Sequence, residues 1–311
     1  MAIFTGYVTT TGQPQQMITG PDGNIWMVTQ DGHITVFNVT TLTTTKYTVS
    51  GATVLFQICT DGTYLYVSDI SPSGPPYNLV YRVTTAGVSS VFFSVGSFTN
   101  GGSLFFDGTN LWFTTSAHFY ELNTAGSVLN TYGAPGNFGG GLINDGTYWW
   151  SSPSSGGASG IDRTPMSGPG TWTTVAMSSP ISYSATYAGG LIWQGNLADP
   201  VCEIIAVTPP STANTVTLSG IAHCNVTASA FDGVNFWIAT QLFSAGGIPG
   251  IWQTTPGNPT VGTLYTTDSL GNSIGPTAIL FETATNSIWA AAHNLMWTMA
   301  VPTSNQLTLL T

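Results

Sequence analysis

Between residues 18 and 26 the chain reads Ile18-Thr19-Gly20-Pro21-Asp22-Gly23-Asn24-Ile25-Trp26. The Asp-Gly-Asn centre is typical of a tight β-hairpin turn, because such turns need residues that accept positive φ angles at low energetic cost. A short apolar run that ends in an aromatic residue follows directly, as in a buried strand. The stretch therefore predicts a strand, a tight turn and a second strand that carries an aromatic residue into the core.

The same motif recurs along nearly the whole chain, at intervals of 38 to 52 residues with a mean near 44. Five copies keep the Asp-Gly pair, and two degenerate copies carry Ala188-Gly189 and Thr285-Asn286 in its place. A repeat of this length made of short strands is typical of a β-propeller blade. The aspartates are Asp22, Asp61, Asp107, Asp145 and Asp232, and the aromatic residues are Trp26, Tyr66, Trp112, Trp150, Trp193, Trp237 and Trp289.

We therefore predict an all-β fold, a seven-bladed β-propeller with four antiparallel strands per blade, as a single domain over residues 1–311. No helical period of 3.6 residues interrupts the pattern. The recurring aromatic residues are predicted to form the core between blades, and the motif aspartates are predicted to be turn residues. The predicted blades cover approximately 13–51, 52–98, 99–137, 138–179, 180–220, 221–273 and 274–311.

How the ring closes is open from the sequence. Residues 278–311 alone supply four candidate strands, Ala278–Thr283, Ser287–Ala292, Asn294–Val301 and Gln306–Thr311. Residues 1–12 contain one more, Ala2–Thr10. This strand is expected either to close the ring beside the last blade, to add a fifth strand, or to pair with a neighbouring subunit, since apolar edge strands seldom stay uncovered.

Charged residues are scarce, at 5% of the chain against about 25% in typical globular proteins. Three cations and a formal charge of −10 give no basic footprint, which excludes nucleic acid and anionic membrane surfaces as partners. No apolar run approaches the ~18 residues of a membrane helix, so we expect no membrane insertion. The N-terminus lacks the pattern of a secretory signal, and Met1 is expected to begin the mature chain.

The cysteines Cys59, Cys202 and Cys224 are odd in number and form no CxxC pair. We interpret them as three buried thiols; a Cys202–Cys224 bridge between neighbouring blades is the alternative. No cysteine or histidine lies at zinc-ligand spacing from them, and the remaining aspartates are too scattered for a calcium loop. We predict neither a metal nor a cofactor.

The first motif copy, Ile18 to Trp26, resembles the repeats of streptogramin B lyases and related NHL-type propellers, and the other copies share its skeleton. The resemblance implies the propeller fold. It also implies, as a functional expectation, a metal-dependent acid/base site at the centre of one face. Those lyases continue after the motif with a Phe-Thr-Glu-like stretch, then Gly and basic residues. Here the chain continues with Met27-Val28-Thr29-Gln30, which lacks the Glu and the Arg.

Binding residues are expected on the face opposite the motif turns, which we call the loop face. The turns between second and third strands and the connections between blades emerge there, and long loops on a rigid scaffold usually carry binding functions. The binding candidates on this face are His33, Tyr77, His118, Gln194 and Gln241.

Only one catalytic pair is conceivable from the sequence. His293 lies on the loop face and Glu282 on the innermost strand of the last blade, where a carboxylate and an imidazole could act as general acid and base. Ordinary loop and strand positions are the better interpretation of both residues. The sialidase box, the His-Glu-x-x-His motif, the phosphate-binding Gly loop and the Gly-x-Ser-x-Gly elbow are all missing.

The sequence thus favours a non-catalytic binding or structural propeller outside the cell. The scarce charge and the surface rich in Thr, Ser, Gly and Asn resemble phage virion proteins of the tail, baseplate, spike or decoration type. The expected partners are other subunits of the assembly and a cell-surface glycan or protein, and the expected location is virion or extracellular. The alternatives are a metal-dependent enzyme similar to streptogramin lyase and a secreted lectin.

Overall fold

The structure is a computed structural model that describes residues 4–8, 12–70, 77–96, 101–134, 139–153, 160–176, 181–196, 201–208, 212–222, 224–242, 247–292 and 295–301. These residues form 28 β-strands that assemble into seven antiparallel sheets of four strands each. Within these ranges, no helix is both long and apolar enough to cross a membrane. The all-β prediction is confirmed.

We number the sheets in chain order and name each strand by its position in the chain. Sheets 1 to 3 consist of β2 (Pro14–Thr19), β3 (Ile25–Thr29), β4 (His33–Asn38) and β5 (Thr43–Thr48); β6 (Leu55–Thr60), β7 (Leu65–Asp69), β8 (Tyr77–Val83) and β9 (Ser89–Val95); β10 (Gly101–Phe106), β11 (Leu111–Thr115), β12 (His118–Leu122) and β13 (Val128–Gly133). Sheets 4 and 5 consist of β14 (Gly139–Asn144), β15 (Tyr148–Pro153), β16 (Gly160–Pro165) and β17 (Thr173–Ala176); β18 (Ile181–Ala188), β19 (Leu191–Asn196), β20 (Val201–Thr208) and β21 (Thr212–Ala222). Sheets 6 and 7 consist of β22 (Cys224–Phe231), β23 (Phe236–Leu242), β24 (Gly250–Thr255) and β25 (Asn258–Tyr265); β26 (Ala278–Glu282), β27 (Ser287–Ala292), β28 (Leu295–Ala300) and β1 (Thr5–Val8).

The first strands of the sheets surround a common axis. Each first strand contacts the first strand of the next sheet, and β26 contacts β2, so the ring of first strands is closed. Each sheet runs outward from its first strand in chain order, except that β1 is outermost in sheet 7. The architecture is a β-propeller, and four antiparallel strands per blade are confirmed.

The motif aspartate does more than turn the chain. Asp61 Oδ1 accepts the backbone N–H groups of Thr63 and Tyr64, both at 2.8 Å, which stabilises the turn. Its other oxygen accepts the phenolic O–H of Tyr66 at 2.8 Å. The other four Asp-Gly copies repeat the second bond, from the indole N–H of the motif tryptophan to the aspartate at 2.6 to 2.9 Å. The aspartate therefore joins the turn to the core, a role the sequence analysis did not predict.

The two degenerate copies, which lack the aspartate, form their turns with other residues. In sheet 5 the indole N–H of Trp193 is donated to the backbone carbonyl of Ala188 at 2.9 Å. In sheet 7 Asn286 takes the left-handed conformation, with φ 48°, while Glu282 caps the turn in place of an aspartate. The motif glycines of the other five copies have φ between 75° and 97°, as the hairpin prediction required.

The core lies between the sheets, as predicted for the motif aromatic residues, all of which are buried. Trp26 of sheet 1 packs in one cluster with Leu65 and Val67 of sheet 2. Trp237 of sheet 6 packs in another with Ile279 and Ile288 of sheet 7. Radial stacking therefore covers the faces of sheets that could not be stable alone.

Ring closure uses the N-terminal strand. β1 pairs with β28 in the register Thr5↔Thr298 to Val8↔Leu295, and so supplies the fourth strand of sheet 7. Phe4, which is fully buried, anchors it: its ring meets Tyr265 edge to face at 5.3 Å, and its carbonyl accepts the N–H of Ser269 at 2.8 Å. Closure beside the last blade is thus the alternative observed. The fourth strand expected at Gln306–Thr311 lies outside the described residues.

Candidate binding channel

A cavity of about 780 Å³ runs along the propeller axis and is lined by the first strands of all seven sheets. This volume lies within the range of ~300–1,000 Å³ typical of small-molecule sites. The cavity, which we call the channel, is a direct consequence of the fold, because the seven strands that precede the motif turns meet around the axis. Within the described residues, every sheet contributes to the lining of this channel.

The loop-face end of the channel is rich in carboxamides. Two of them also tie the sheets together: Gln16 Oε1 accepts the backbone N–H of Ile58, and Gln57 Oε1 accepts that of Leu104, each at 2.8 Å. Each bond joins the first strand of one sheet to that of the next. The carboxamides that line this end are Gln13, Gln15, Gln16, Gln30, Gln57, Asn225 and Gln241.

β-bulges are the local reason for this chemistry. Six of the seven first strands shift register at this end, all except β26. A bulge releases backbone groups from the ladder, and side-chain hydroxyls pair with them: Ser68 accepts the N–H of Gln57 at 3.1 Å, and Thr114 accepts that of Ser103 at 2.9 Å. Polar side chains and released backbone groups therefore collect at this mouth of the channel.

The motif-turn end of the channel has a different lining. In four sheets the last residue of the first strand lines the channel, and in sheets 5 and 7 the residue before it does; four of these six residues are aromatic. Tyr187 is the most open of these, with 43% of its surface exposed. The six residues are Thr60, Phe106, Asn144, Tyr187, Phe231 and Phe281.

Charged groups are missing from the channel, as far as the structure describes its lining: no Asp, Glu, Lys, Arg or His contributes. The three cations are engaged elsewhere. Lys46 Nζ lies 2.7 Å from Asp31 Oδ2, while Arg82 and Arg163 stack over Tyr64 and Tyr148 at 4.7 and 4.5 Å.

Carboxylates are engaged as well. Each of the 11 Asp and Glu side chains that the structure describes accepts at least one hydrogen bond from the protein; besides the five motif aspartates these are Asp31, Asp69, Glu121, Asp162, Asp268 and Glu282. Asp69, for example, is fully buried and accepts the N–H groups of Thr53 and Val54 in the connection between sheets 1 and 2. The scaffold thus uses the carboxylates that a catalytic site would need.

The structure separates the predicted binding residues. His33, Tyr77 and His118 begin the third strands of sheets 1, 2 and 3, at the loop face as expected, but none of them lines the channel. Gln241, at the end of β23, does line it. Gln194 lies in β19, and its side chain is outside the described part of the chain.

The His293–Glu282 pair is not brought together by any described contact, since His293 lies outside the described residues. Glu282 is placed by its register: it ends β26 at the motif-turn side, opposite Ser287, whereas Ala292, which precedes His293, ends β27 on the loop face. Burial alone would raise the pKa of Glu282. Hydrogen bonds from Thr285 and from the N–H of Ala284 outweigh it and hold that pKa below its usual range. An ionised, turn-capping carboxylate is poorly suited to donate a proton.

His33 belongs instead to a small charged cluster on the rim of the loop face. Its Nδ1 lies 3.3 Å from Asp31 Oδ1, and Lys46 lies on the other side of the same carboxylate. Partial burial would raise the pKa of Asp31, but hydrogen bonds from Lys46 and Thr29 lower it to about 2. Within the cluster, Asp31 and Lys46 form a hydrogen-bonded ion pair, and His33 lies beside it.

Metal and thiol chemistry find no support in the described part of the chain. It contains no group of three or more His, Cys, Asp and Glu side chains arranged to hold a metal ion. Cys59 is a free thiol in β6 whose pKa burial raises above its usual range, so it is not activated as a nucleophile. The side chains of Cys202 and Cys224 lie outside the described residues, and their pairing stays a prediction.

Of the carboxamides of the channel, the sequence analysis named Gln241 and missed the others, although a signal was present. Gln16, Gln57 and Asn225 each precede an Asp-Gly motif by four to seven residues, and the first strand of a blade must lie there. The residues just before each motif were therefore the ones to inspect for channel chemistry.

Comparison with known proteins gives the fold alone. No family model and no curated protein matches the chain. Among solved structures it is similar to a catalytically inactive variant of virginiamycin B lyase from Staphylococcus aureus with quinupristin, at a TM-score of 0.70 and 14% identity over 96% of this chain and 100% of the lyase. It is also similar to the extracellular domain of a putative hybrid two-component system from B. thetaiotaomicron, at a TM-score of 0.69 and 13% identity over 98% of this chain and 40% of that chain. The chain is a β-propeller similar in architecture to both.

Proposed function

We propose that this protein is a seven-bladed propeller with a non-catalytic binding or structural role in an extracellular assembly, and that its central channel takes an uncharged polar ligand. One observation carries the proposal: the described lining of the channel consists of carboxamides, hydroxyls, aromatic rings and apolar groups and contains no charged side chain. The engagement of every described carboxylate in the scaffold supports the non-catalytic part, since acid–base catalysis needs a carboxylate or imidazole within reach of the substrate.

The assembly we propose is a phage virion, with the protein in its tail, baseplate, spike or decoration layer. Composition supports this setting: charged residues make up 5% of the chain, and the chain is rich in Thr, Ser, Gly and Asn. Such a protein would contact other subunits through its sheet edges and present the loop face to a host glycan or protein.

The test is the protein content of purified particles. Mass spectrometry of virions from the source culture, after density-gradient purification, should find the chain at a fixed ratio to a known tail or capsid subunit. Absence from particles, with the protein present in the culture supernatant, would remove the virion setting and leave a secreted binding protein.

A second candidate is an enzyme similar to streptogramin lyase. The likeness to virginiamycin B lyase, at a TM-score of 0.70 over 96% of the chain, favours it. Against it stand Met27-Val28-Thr29-Gln30, where those lyases carry Glu and basic residues, and the turn-capping role of Glu282. Incubation of the protein with quinupristin and Mg²⁺ should give no ring opening by mass spectrometry. Turnover that His293→Ala abolishes would refute the non-catalytic role.

A further inference from the structure

The loop-face end of the channel contains an unsatisfied hydrogen-bond acceptor. Asn225, on β22, lines this end, and its Oδ1 is closed to solvent and has no hydrogen-bond partner in the protein, so the carboxamide must turn before that oxygen can meet a ligand. A buried acceptor without a partner costs about 1–3 kcal/mol, so it marks a position where a ligand group or an ordered water is expected. The missing partner must be a donor, such as a hydroxyl or an amide.

The charge distribution restricts which donors can enter. An acidic ligand would find no described cation in the channel, since Lys46, Arg82 and Arg163 are held by Asp31 and by aromatic rings. The net charge of −10 also repels anions from the whole molecule. A cationic ligand would lose its hydration in the channel without gaining a carboxylate. The lining therefore selects an uncharged ligand.

The two ends of the channel together fit a saccharide, an uncharged ligand with both hydroxyl groups and apolar ring faces. A carboxamide carries both a donor and an acceptor, which matches a sugar hydroxyl that also donates and accepts. Gln30 and Gln241 present such groups at the loop-face mouth, and Gln241 pairs with Asn225 across β22 and β23. At the other end Tyr187, Phe106 and Phe231 offer partly exposed rings, against which the apolar C–H faces of a pyranose can pack.

We propose that the central channel is a binding site for a neutral saccharide, whose hydroxyl groups bond the carboxamides of the loop-face end, Gln30 and Gln241 among them, and whose ring faces pack on the aromatic end. This inference rests on the proposed function and names the ligand class of the same site. The channel volume of about 780 Å³ accommodates a short oligosaccharide and not a branched glycan core as a whole.

The test is an array of neutral oligosaccharides printed beside counterparts of the same backbone that end in sialic acid or a uronic acid. The protein should bind neutral members and lose signal on every acidic counterpart. The best neutral oligosaccharide is then titrated in solution by calorimetry. Gln30→Ala combined with Gln241→Ala should weaken binding about tenfold, because two uncharged hydrogen bonds are lost. Tyr187→Ala should weaken it about threefold or more through the lost ring contact.

Asn130→Ala is the matched control. It removes an exposed carboxamide from β13, an outermost strand, and should leave affinity unchanged. The melting temperature of each variant separates lost binding from lost fold. A blank array, equal binding of acidic counterparts, or unchanged affinity of the Gln30/Gln241 double variant would each overturn the saccharide assignment. Those outcomes leave the non-catalytic role in an assembly standing, since detection in virions and the quinupristin assay decide that role independently.

Discussion

The bond between the motif aspartate and the motif aromatic residue can be measured in sheet 4. Asp145 Oδ1 accepts the N–H groups of Thr147 and Tyr148 at 2.8 Å, and Oδ2 accepts the indole N–H of Trp150 at 2.9 Å. Trp150 is fully buried, and Asp145 is the partner of its indole N–H. Asp145→Ala should therefore destabilise the fold through two separate losses, one in the turn and one in the core.

The magnitudes follow from the exposure of each group. The turn N–H groups lie near solvent, where water replaces the lost acceptor, so their share is about 1 kcal/mol. The buried indole N–H loses a charge-assisted bond worth about 1.5–3 kcal/mol. We expect Asp145→Ala to lower the free energy of unfolding by about 2–4 kcal/mol. Asp145→Asn keeps an oxygen acceptor for the turn but places an NH₂ group against the indole N–H. This variant should therefore lose only the part of the unfolding free energy that comes from the indole bond.

The assay is a double-mutant cycle by guanidinium unfolding, followed by tryptophan fluorescence. The cycle combines Asp145→Ala with Trp150→Phe, which removes the indole N–H. The coupling free energy between the two positions should be about 1.5–3 kcal/mol. A coupling below about 0.5 kcal/mol would show that the indole bond contributes nothing measurable. The motif aspartate would then be a turn residue only, as the sequence alone had indicated.

Three further outcomes are expected. Gly6→Ala should destabilise sheet 7 severely, because a Cβ there would overlap the carboxylate of Asp268. Gly12→Ala is the comparison, since its Cβ would approach Asp31 no closer than 3.1 Å. The melting temperatures of the two variants by circular dichroism measure the difference. Phe4→Ala should cost about 3–5 kcal/mol and expose the closing strand to proteolysis, and an unchanged digestion rate would contradict the closure role. The pKa of Asp31 in the folded state is lowered to about 2. The ionised carboxylate therefore stabilises the fold above the unfolded pKa near 4, and this stabilisation is lost as pH falls from there toward 2. Unfolding titrations should show a smaller loss of stability over this pH range in Asp31→Asn than in the parent protein.

The fold could be predicted because one local feature, the hairpin motif, recurs along the sequence. Gly at positive φ and an aromatic residue four or five positions after the motif aspartate suffice to place the first two strands of most sheets, and the structure follows that placement. Ring closure could not be predicted, because both ends of the chain carry strand-forming sequence. The pairing Thr5↔Thr298 depends on which edge of β28 remains open once the ring is complete, and this is a property of the whole assembly.

The channel was harder to predict for a specific geometric reason. In a regular strand, side chains alternate between two faces, so the position of each residue follows from its distance to the motif. A bulge adds a residue and breaks that alternation. Gln16 and Gln57 lie at the shifted register, so counting from the motif does not place their side chains, and only the structure shows them joining successive sheets. A similar limit applies to Glu282, which lies at the turn of its hairpin, whereas Ala292, the last described residue before His293, ends β27 at the other end.

The scarcity of charge and the chemistry of the channel have a common physical basis. The seven first strands line one axial cavity of about 780 Å³. An ionisable residue that recurred at the same position of each first strand would therefore place several like charges in that space. Repulsion between such charges grows as the effective dielectric falls, and it would destabilise ring closure. Carboxamides and hydroxyls keep the hydrogen-bonding capacity without this cost, and Gln16 and Gln57 use part of it to join the sheets. The carboxamides of Gln30 and Gln241, which line the mouth of the same channel, are the part of that capacity open to a ligand.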